Sequence, residues 1–205
     1  MRALVVASLT PYLGDGVMIG SVTANRDAPE LTHTIGLLSD HVPVRVDLQG
    51  NPSFGELAAR VHEATRQAHL HRLPVGVLRH ELPSAPHGNG SLFDLSINYM
   101  PHAPTKAATV TAPDGSHIRM EPRTLPTNTL RPRMMSAFSG AVSLGFQLRH
   151  SHDGYVSGDL WAHSPAFTTR TVDRLCRDLG RTAREVLSSP QRRIRDLAVH
   201  GREKD

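Results

Sequence analysis

Cysteine is almost missing from this sequence: Cys176 is the only one in 205 residues. An internal disulfide is therefore impossible, and a thiolate metal cluster is excluded. The apolar neighbours of Cys176 predict a small, buried residue on a helix. Aromatic residues are scarce too, nine in all, so the core must be built from aliphatic side chains. No segment approaches the ~20 consecutive apolar residues that a spanning helix needs. The opening MRALVVASLTPYL carries Arg2 and a short apolar run, but it passes at once into patterned sequence. That weak likeness to a signal peptide leaves a cytoplasmic protein, with no membrane partner, as the expectation.

Several catalytic signatures are also missing. There is no HExxH among the thirteen histidines. His62 and His69 lie seven apart on one predicted helix without a third ligand, so no metal site is assigned. No G-x-S-x-G elbow or P-loop occurs, and Gly14-Asp15-Gly16 reads as a turn. In HSHDGY, residues 150–155, His150, His152 and Asp153 admit an acid–base reading. Turn geometry alone already accounts for Asp153-Gly154. The formal charge is +4, with basic residues such as Arg192, Arg193 and Arg195 gathered late in the chain. No basic run is interleaved with aromatics, so a solvated face is expected rather than a nucleic-acid site.

What is present is periodic. Length suffices for one well-buried core or two small ones, and the 31 proline and glycine residues argue for many turns. Ala3–Leu13 predicts a short helix weakened by Pro11. Val17–Val22 predicts a strand, and Asn25, Arg26 and Asp27 a polar turn. Val42, Val44, Val46 and Leu48 alternate with polar residues, the period of a strand with one buried face. Ser53 and Glu56 fit a capping box. Phe54, Leu57, Val61, Ala64 and Ala68 then predict a helix to about His71, ahead of Pro74.

Residues 81–91 read as a loop. Phe93, Leu95, Ile97 and Tyr99 predict another strand, with Asp94, Ser96 and Asn98 on its opposite side. Asp114-Gly115 predicts a hairpin joining residues 107–111 to 117–121, and residues 122–133 a proline-rich connection. Val142, Leu144, Phe146 and Leu148 predict a strand that pairs with residues 155–161 across Asp153-Gly154. Thr171–Ser188 predicts a second long helix, with Val172, Leu175, Cys176, Leu179, Ala183 and Val186 on its apolar stripe. The order implies an α/β or α+β two-layer sandwich, a mixed sheet with packed helices, in one undivided domain.

Five stretches in order carry a resemblance. IGSVTANR (19–26) resembles a glycine…asparagine-arginine motif, here Gly20, Asn25 and Arg26. IGLLSDHVPVR (35–45) is similar to an isoleucine-glycine…asparagine-threonine…arginine motif, here Gly36, Asp40-His41 and Arg45. LHRLPVGVL (70–78), SLFDLSINY (91–99) and DGYVSGDLWAHSPAF (153–167) follow. Together they resemble the C-terminal half of the condensation domain of nonribosomal peptide synthetases, in the chloramphenicol-acetyltransferase-like superfamily. Asp40-His41 stands where the family has Asn-Thr, Val75-Gly76 where it has Phe-Glu, and Trp161 where it has tyrosine.

The resemblance implies one lobe of a two-lobed fold spanning residues 1–205. The family's catalytic HHxxxDG motif belongs to the N-terminal lobe and does not occur in this sequence; HSHDG has the wrong spacing. No catalytic residue is therefore assigned. The implied activity is amide formation between acyl or aminoacyl groups on carrier proteins, by holding two tethered reactants at near-attack distance. Implied partners are an N-terminal lobe or synthetase module and acyl or peptidyl carrier proteins. No cofactor is bound directly, since phosphopantetheine rides on the carriers.

Asp40, His41, Asn98 and Ser96 become candidates for the channel or lobe interface. For Asp40 and His41 two readings stand: a polar network at that interface, or a capping role on a face left exposed. Gly20, Asn25, Arg26, Gly36 and Arg45 are structural positions, with Arg26 and Arg45 expected to be salt-bridge partners. Alternative functions are a non-catalytic carrier-binding or structural lobe, and a stand-alone acyltransferase using His41, His150 or His152. A half of a two-lobed protein is also expected to expose an apolar patch and to self-associate or bind a partner.

Overall fold

The computed structural model describes residues 1–82, 91–100, 108–120, 143–150, 154–162 and 167–197. Helix α1 (Arg2–Leu9) leads through a short 3-10 turn at Thr10–Tyr12 into strand β1 (Gly16–Thr23). The single helix expected over Ala3–Leu13 thus tightens at Thr10, where Pro11 takes the first turn of the 3-10 segment and cannot donate to an α-helical ladder. Strand β2 (Asp40–Asp47) pairs antiparallel with β1. Helices α2 (Phe54–Leu70) and α3 (Val75–Glu81) follow.

The capping box forms as its spacing predicts. Ser53 Oγ accepts from the Glu56 N–H at 3.2 Å, and Glu56 Oε2 accepts from the Ser53 N–H at 2.7 Å. Those two bonds satisfy two donors that the first turn of α2 would otherwise leave open. Helix α3 was not legible as a helix: Pro74 introduces it, and it has no buried residue of its own.

The rest of the chain supplies β3 (Leu95–Met100), the β4–β5 hairpin (Ala108–Thr111, His117–Met120), β6 (Leu144–His150), β7 (Val156–Ala162) and α4 (Thr169–Ser188). Asp114 Oδ1 accepts from Ser116 N–H at 2.9 Å, closing the β4–β5 turn as expected. The main sheet has the order β2-β1-β3-β6-β7. Its inner pairs, β1 with β3 and β3 with β6, are parallel; β6 and β7 form the expected antiparallel hairpin. The mixed sheet with packed helices is the fold class expected. The 122–133 connection, Val142, His152 and Asp153 lie outside the described residues.

Strand alternation sorts the sheet into two faces. Val17, Ile19, Val44, Val46, Leu95, Ile97, Phe146 and Leu148 pack with α1, α2 and α4 into one mainly aliphatic core. The tail closes that core: Ile194 is buried, its N–H donates to Pro52 O, and the Phe54 N–H donates to Arg192 O.

Two details differ from the sequence reading. Phe93 does not continue the Leu95–Ile97–Tyr99 face. Asp94 is pinned to Met18 by two bonds, N–H to O at 2.8 Å and Oδ2 accepting from the Met18 N–H at 2.7 Å, and Phe93 turns to the opposite face. Cys176 is exposed rather than buried. The face of α4 that packs inward carries Leu175, Asp178, Thr182 and Val186, and Asp178 is accommodated there by Arg181 at 2.6 Å. Cys176, Leu179, Gly180 and Ala183 instead line an apolar groove of about 580 Å³ against β6, β7, Met1 and Leu4.

Candidate functional site

The sheet face away from the main core holds His41, Ser96 and Asn98. His41 is the second residue of β2 and Ser96 lies on β3, with β1 between them. The side chains meet across that strand: His41 Nε2 and Ser96 Oγ are 3.0 Å apart, and both residues are buried. Gly20 of β1 makes room beside this contact for Phe93. A Cβ there would lie 2.6 Å from the ring of Phe93, which occupies the space instead. Phe93 in turn stacks on His41, with ring centroids 5.2 Å apart. Leu92, Phe93, Met18, Val75, Leu78 and Trp161 form a second small apolar cluster over this face. The motif glycine is thus a close-approach position.

Asp40 works beside it on the main chain. One carboxylate oxygen accepts from the His41 N–H at 2.7 Å, and the other from the Val75 N–H at 3.0 Å. Pro74 offers α3 no side-chain cap, so Asp40 supplies the acceptor from another strand. The carboxylate therefore serves backbone groups and does not orient the imidazole. Burial lowers the His41 pKa; nearby Asp40 opposes this weakly, and Arg79 adds to it. A neutral, stacked imidazole bonded to one hydroxyl is a strut across three strands. His41 makes a buried polar contact, while Asp40 caps α3.

The remaining motif positions organise the approach to β2. Asn25 takes a left-handed φ of 53°. Arg26 was expected to be a salt-bridge partner, but its guanidinium donates to three carbonyls instead: Leu31 and Thr34 at 2.7 Å, and Gly36 at 3.0 Å. It ties the loop before β2 into shape. Arg45 is exposed on β2 and has no ion pair among the described residues. Its cross-strand neighbour on β1 is Met18, so the register offers it no carboxylate. Ile35 and Leu37 on this loop are largely exposed.

Asn98 sits next along β3 on the same face as Ser96. It is in register with Gln147 of β6, and Gln147 with Asp159 of β7. Asp159 is held by Arg149 at 2.8 Å. One row away, Trp161 lies over Gly145, where a Cβ would come within 2.0 Å of its ring. Sequence reasoning found Asn98 and missed Gln147, Arg149 and Asp159. The signal was present, because Gln147 alternates with Phe146 and Leu148, but strand pairing is not written in a single strand.

Of the histidines weighed for a stand-alone site, His150 ends β6 on its core-facing register, the face opposite His41, on a strand three positions from β2 in the sheet; His152 lies outside the described residues. Among the described residues no three His, Cys, Asp or Glu side chains gather to hold a metal ion. No described helix is long and apolar enough to cross a membrane.

The sequence model of the condensation domain matches residues 3–205. The chain belongs to the condensation-domain family. It is 26% identical over 198 residues to the probable non-canonical nonribosomal peptide synthetase CymA of Salinispora arenicola, an alignment covering 95% of this chain and 2% of that protein. Malpinin synthetase of Mortierella alpina is 40% identical over 58 residues, 28% of this chain and 1% of the synthetase.

Among solved structures, the X-domain in its complex with OxyB from teicoplanin biosynthesis superposes with a TM-score of 0.72 at 26% identity, covering 96% of this chain and 41% of that one. The starter condensation domain of rhizomide synthetase RzmA superposes at 0.70, with 18% identity, over 98% and 44%. The fold is the chloramphenicol-acetyltransferase-like one of these domains. The chain spans about two-fifths of each such solved neighbour. The general role of the family is amide-bond formation in nonribosomal peptide synthesis, with substrates on phosphopantetheine-bearing carrier proteins.

Proposed function

We propose that this condensation-family chain is a C-terminal lobe, residues 1–205, that supports amide formation only with an N-terminal lobe carrying HHxxxDG. The observation that carries this reading is coverage. Nearly the whole chain matches the family and superposes on its structures, yet it accounts for only 41–44% of those neighbours. The described histidines support it as well, since His41 is bound up in the sheet.

In the proposed reaction the acceptor amine attacks the donor thioester carbonyl. A C–N bond forms, the C–S bond breaks, and the proton lost by the amine balances the thiol released on the donor carrier. This lobe contributes one wall for the two tethered arms, and the rate gain comes from their enforced proximity. Asp40, His41, Ser96 and Asn98 lie on that wall or support it. Acyl or peptidyl carrier proteins and the N-terminal lobe are the proposed partners.

A second reading has its own observation. The X-domain, which resembles this chain at 26% identity, was solved in complex with OxyB. A lobe that recruits a protein rather than joining substrates fits that likeness. A condensation assay with loaded carrier proteins decides between the two. Product from the chain plus a supplied N-terminal lobe, and from neither alone, supports the half-enzyme. Product from the chain alone overturns it. No product with substrates proven on an intact domain favours recruitment.

A further inference from the structure

Five arginines of α4 fall on one line. Arg170, Arg174, Arg177, Arg181 and Arg184 are spaced by four, three, four and three residues. At about 100° per residue they stay within about 80° of one another around the helix, and they span about 21 Å along it. The line is distinct from the inward face of Leu175 and Val186 and from the groove face of Cys176 and Ala183. Helix stability does not account for it. Like charges three and four residues apart destabilise a helix. Arg170 stands in a first turn that holds no acid, where the helix dipole disfavours a cation. Neutralisation from within the chain is partial. Arg181 is held by Asp178 at 2.6 Å and lies 3.9 Å from Glu185. Arg177 and Arg184 are exposed, and neither forms an ion pair among the described residues. Arg174 is set in place by an aromatic: its guanidinium carbon lies 5.7 Å from the centroid of the half-exposed Tyr12 ring, a cation–π contact.

We propose that the arginine line of α4 docks an acidic α-helix of a partner protein, with Tyr12 and Arg174 as its anchor and Arg177 and Arg184 as its charge contacts. The chemistry of the occupant follows from the spacing. A second helix laid alongside has the same rise per residue, so glutamates or aspartates at intervals of four and three face the arginines along the whole line. Each guanidinium can take a carboxylate through two parallel N–H donors. Tyrosine and arginine are also the residues that interfaces favour. A single-stranded nucleic acid fits less well, because its bases need a series of stacking aromatics; Tyr12 is the one aromatic in contact with the line among the described residues. A membrane surface fits less well too. An interfacial helix exposes apolar side chains beside its cations, whereas Asp173 and Glu185 flank this line. Because α4 packs on the core face of the sheet, the line lies on the opposite side from His41, Ser96 and Asn98. Docking there leaves the candidate site free, whatever reaction the chain supports.

The test titrates the full chain into a dye-labelled, capped helical peptide at low salt, read by fluorescence anisotropy. The peptide carries glutamates at alternating intervals of four and three residues in an alanine and glutamine background. A second peptide of the same composition spreads its glutamates over all faces. The in-line peptide should bind about tenfold more tightly than the scattered one, because only it meets several arginines at once. Arg177→Glu with Arg184→Glu should weaken binding by about tenfold or more, and a peptide with lysines at the two facing positions should restore it. Arg45→Glu, the same charge change at an exposed position of β2, should leave binding as it was. Unchanged thermal unfolding shows that each variant folds. A single-stranded oligonucleotide and phosphatidylcholine–phosphatidylserine vesicles are titrated beside the peptides. Equal affinity for the two peptides, no binding of either at millimolar concentration, tighter binding of the oligonucleotide or the vesicles, or undiminished binding by the folded double variant each overturns the proposal.

Discussion

His41 and Ser96 touch at 3.0 Å although their strands are not neighbours, and the Phe93 ring that stacks on His41 rests over Gly20 of the strand between them. His41→Ala removes the ring stacked on Phe93 and leaves a buried hydroxyl with one partner fewer. A loss of about 2 kcal/mol is expected, combining a cavity and a lost buried hydrogen bond. Urea unfolding of the two chains checks it; an unchanged midpoint would mean that the strut bears no weight.

The same burial predicts a pH dependence. The folded-state pKa of His41 lies below the ordinary 6.5, chiefly from desolvation. The unfolded chain therefore takes up the proton first. The contribution of His41 is fully present above about pH 6.5 and is lost as pH falls through the lower, folded value. Melting temperatures measured between pH 7.5 and 5 should fall more steeply for the native chain than for His41→Gln. Parallel slopes would refute a buried neutral imidazole.

Asp40 fastens α3 through a single oxygen. Asp40→Ala should cost about 1 kcal/mol, the usual scale of a helix cap, and should speed hydrogen exchange at the Val75 amide. Asp40→Asn keeps one carbonyl acceptor and should lie between the two. Equal exchange in all three chains would show that α3 is anchored by other contacts.

Gly145 lies under the only tryptophan. Gly145→Ala forces the Trp161 ring away from the strand and should cost about 1–3 kcal/mol through overpacking. The fluorescence of Trp161 should move to longer wavelength as the indole meets water. An unshifted spectrum would mean that the ring does not rest there.

Cys176 faces outward on α4. Its thiol pKa is raised from 9.0 by partial burial and by Asp173. A disulfide reagent should modify one thiol per native chain, slowly at pH 7 and faster as pH rises past 9. Modification only after unfolding would return Cys176 to the core.

Local chemistry was the legible part of this chain. The Ser53–Glu56 cap, the Asp114-Gly115 turn and the alternation of β2 and β6 each depend on residues close in sequence, and each forms as read. Asp40, His41, Ser96 and Asn98 were singled out before the structure, and His41, Ser96 and Asn98 occur on one side of the sheet, with Asp40 at the mouth of β2. What escaped depended on pairing over long distances. Phe93 leaves its apparent face because Asp94 is claimed by Met18, 76 positions earlier. Arg26 binds carbonyls rather than a carboxylate because its loop folds back around it. Cys176 and Asp178 exchange expected environments because α4 turns a slightly different stripe toward the core. Gln147 stands beside Asn98 only through the order of strands.

The bare position at Gly20 has an evolutionary cost. Residues 20, 41, 93 and 96 share one small volume, so drift at any of them is constrained by the other three. A side chain at position 20 would displace Phe93 and with it the ring stacked on His41. Descendants of this sequence would therefore have to exchange these four residues as a set, by way of intermediates that are worse than either end.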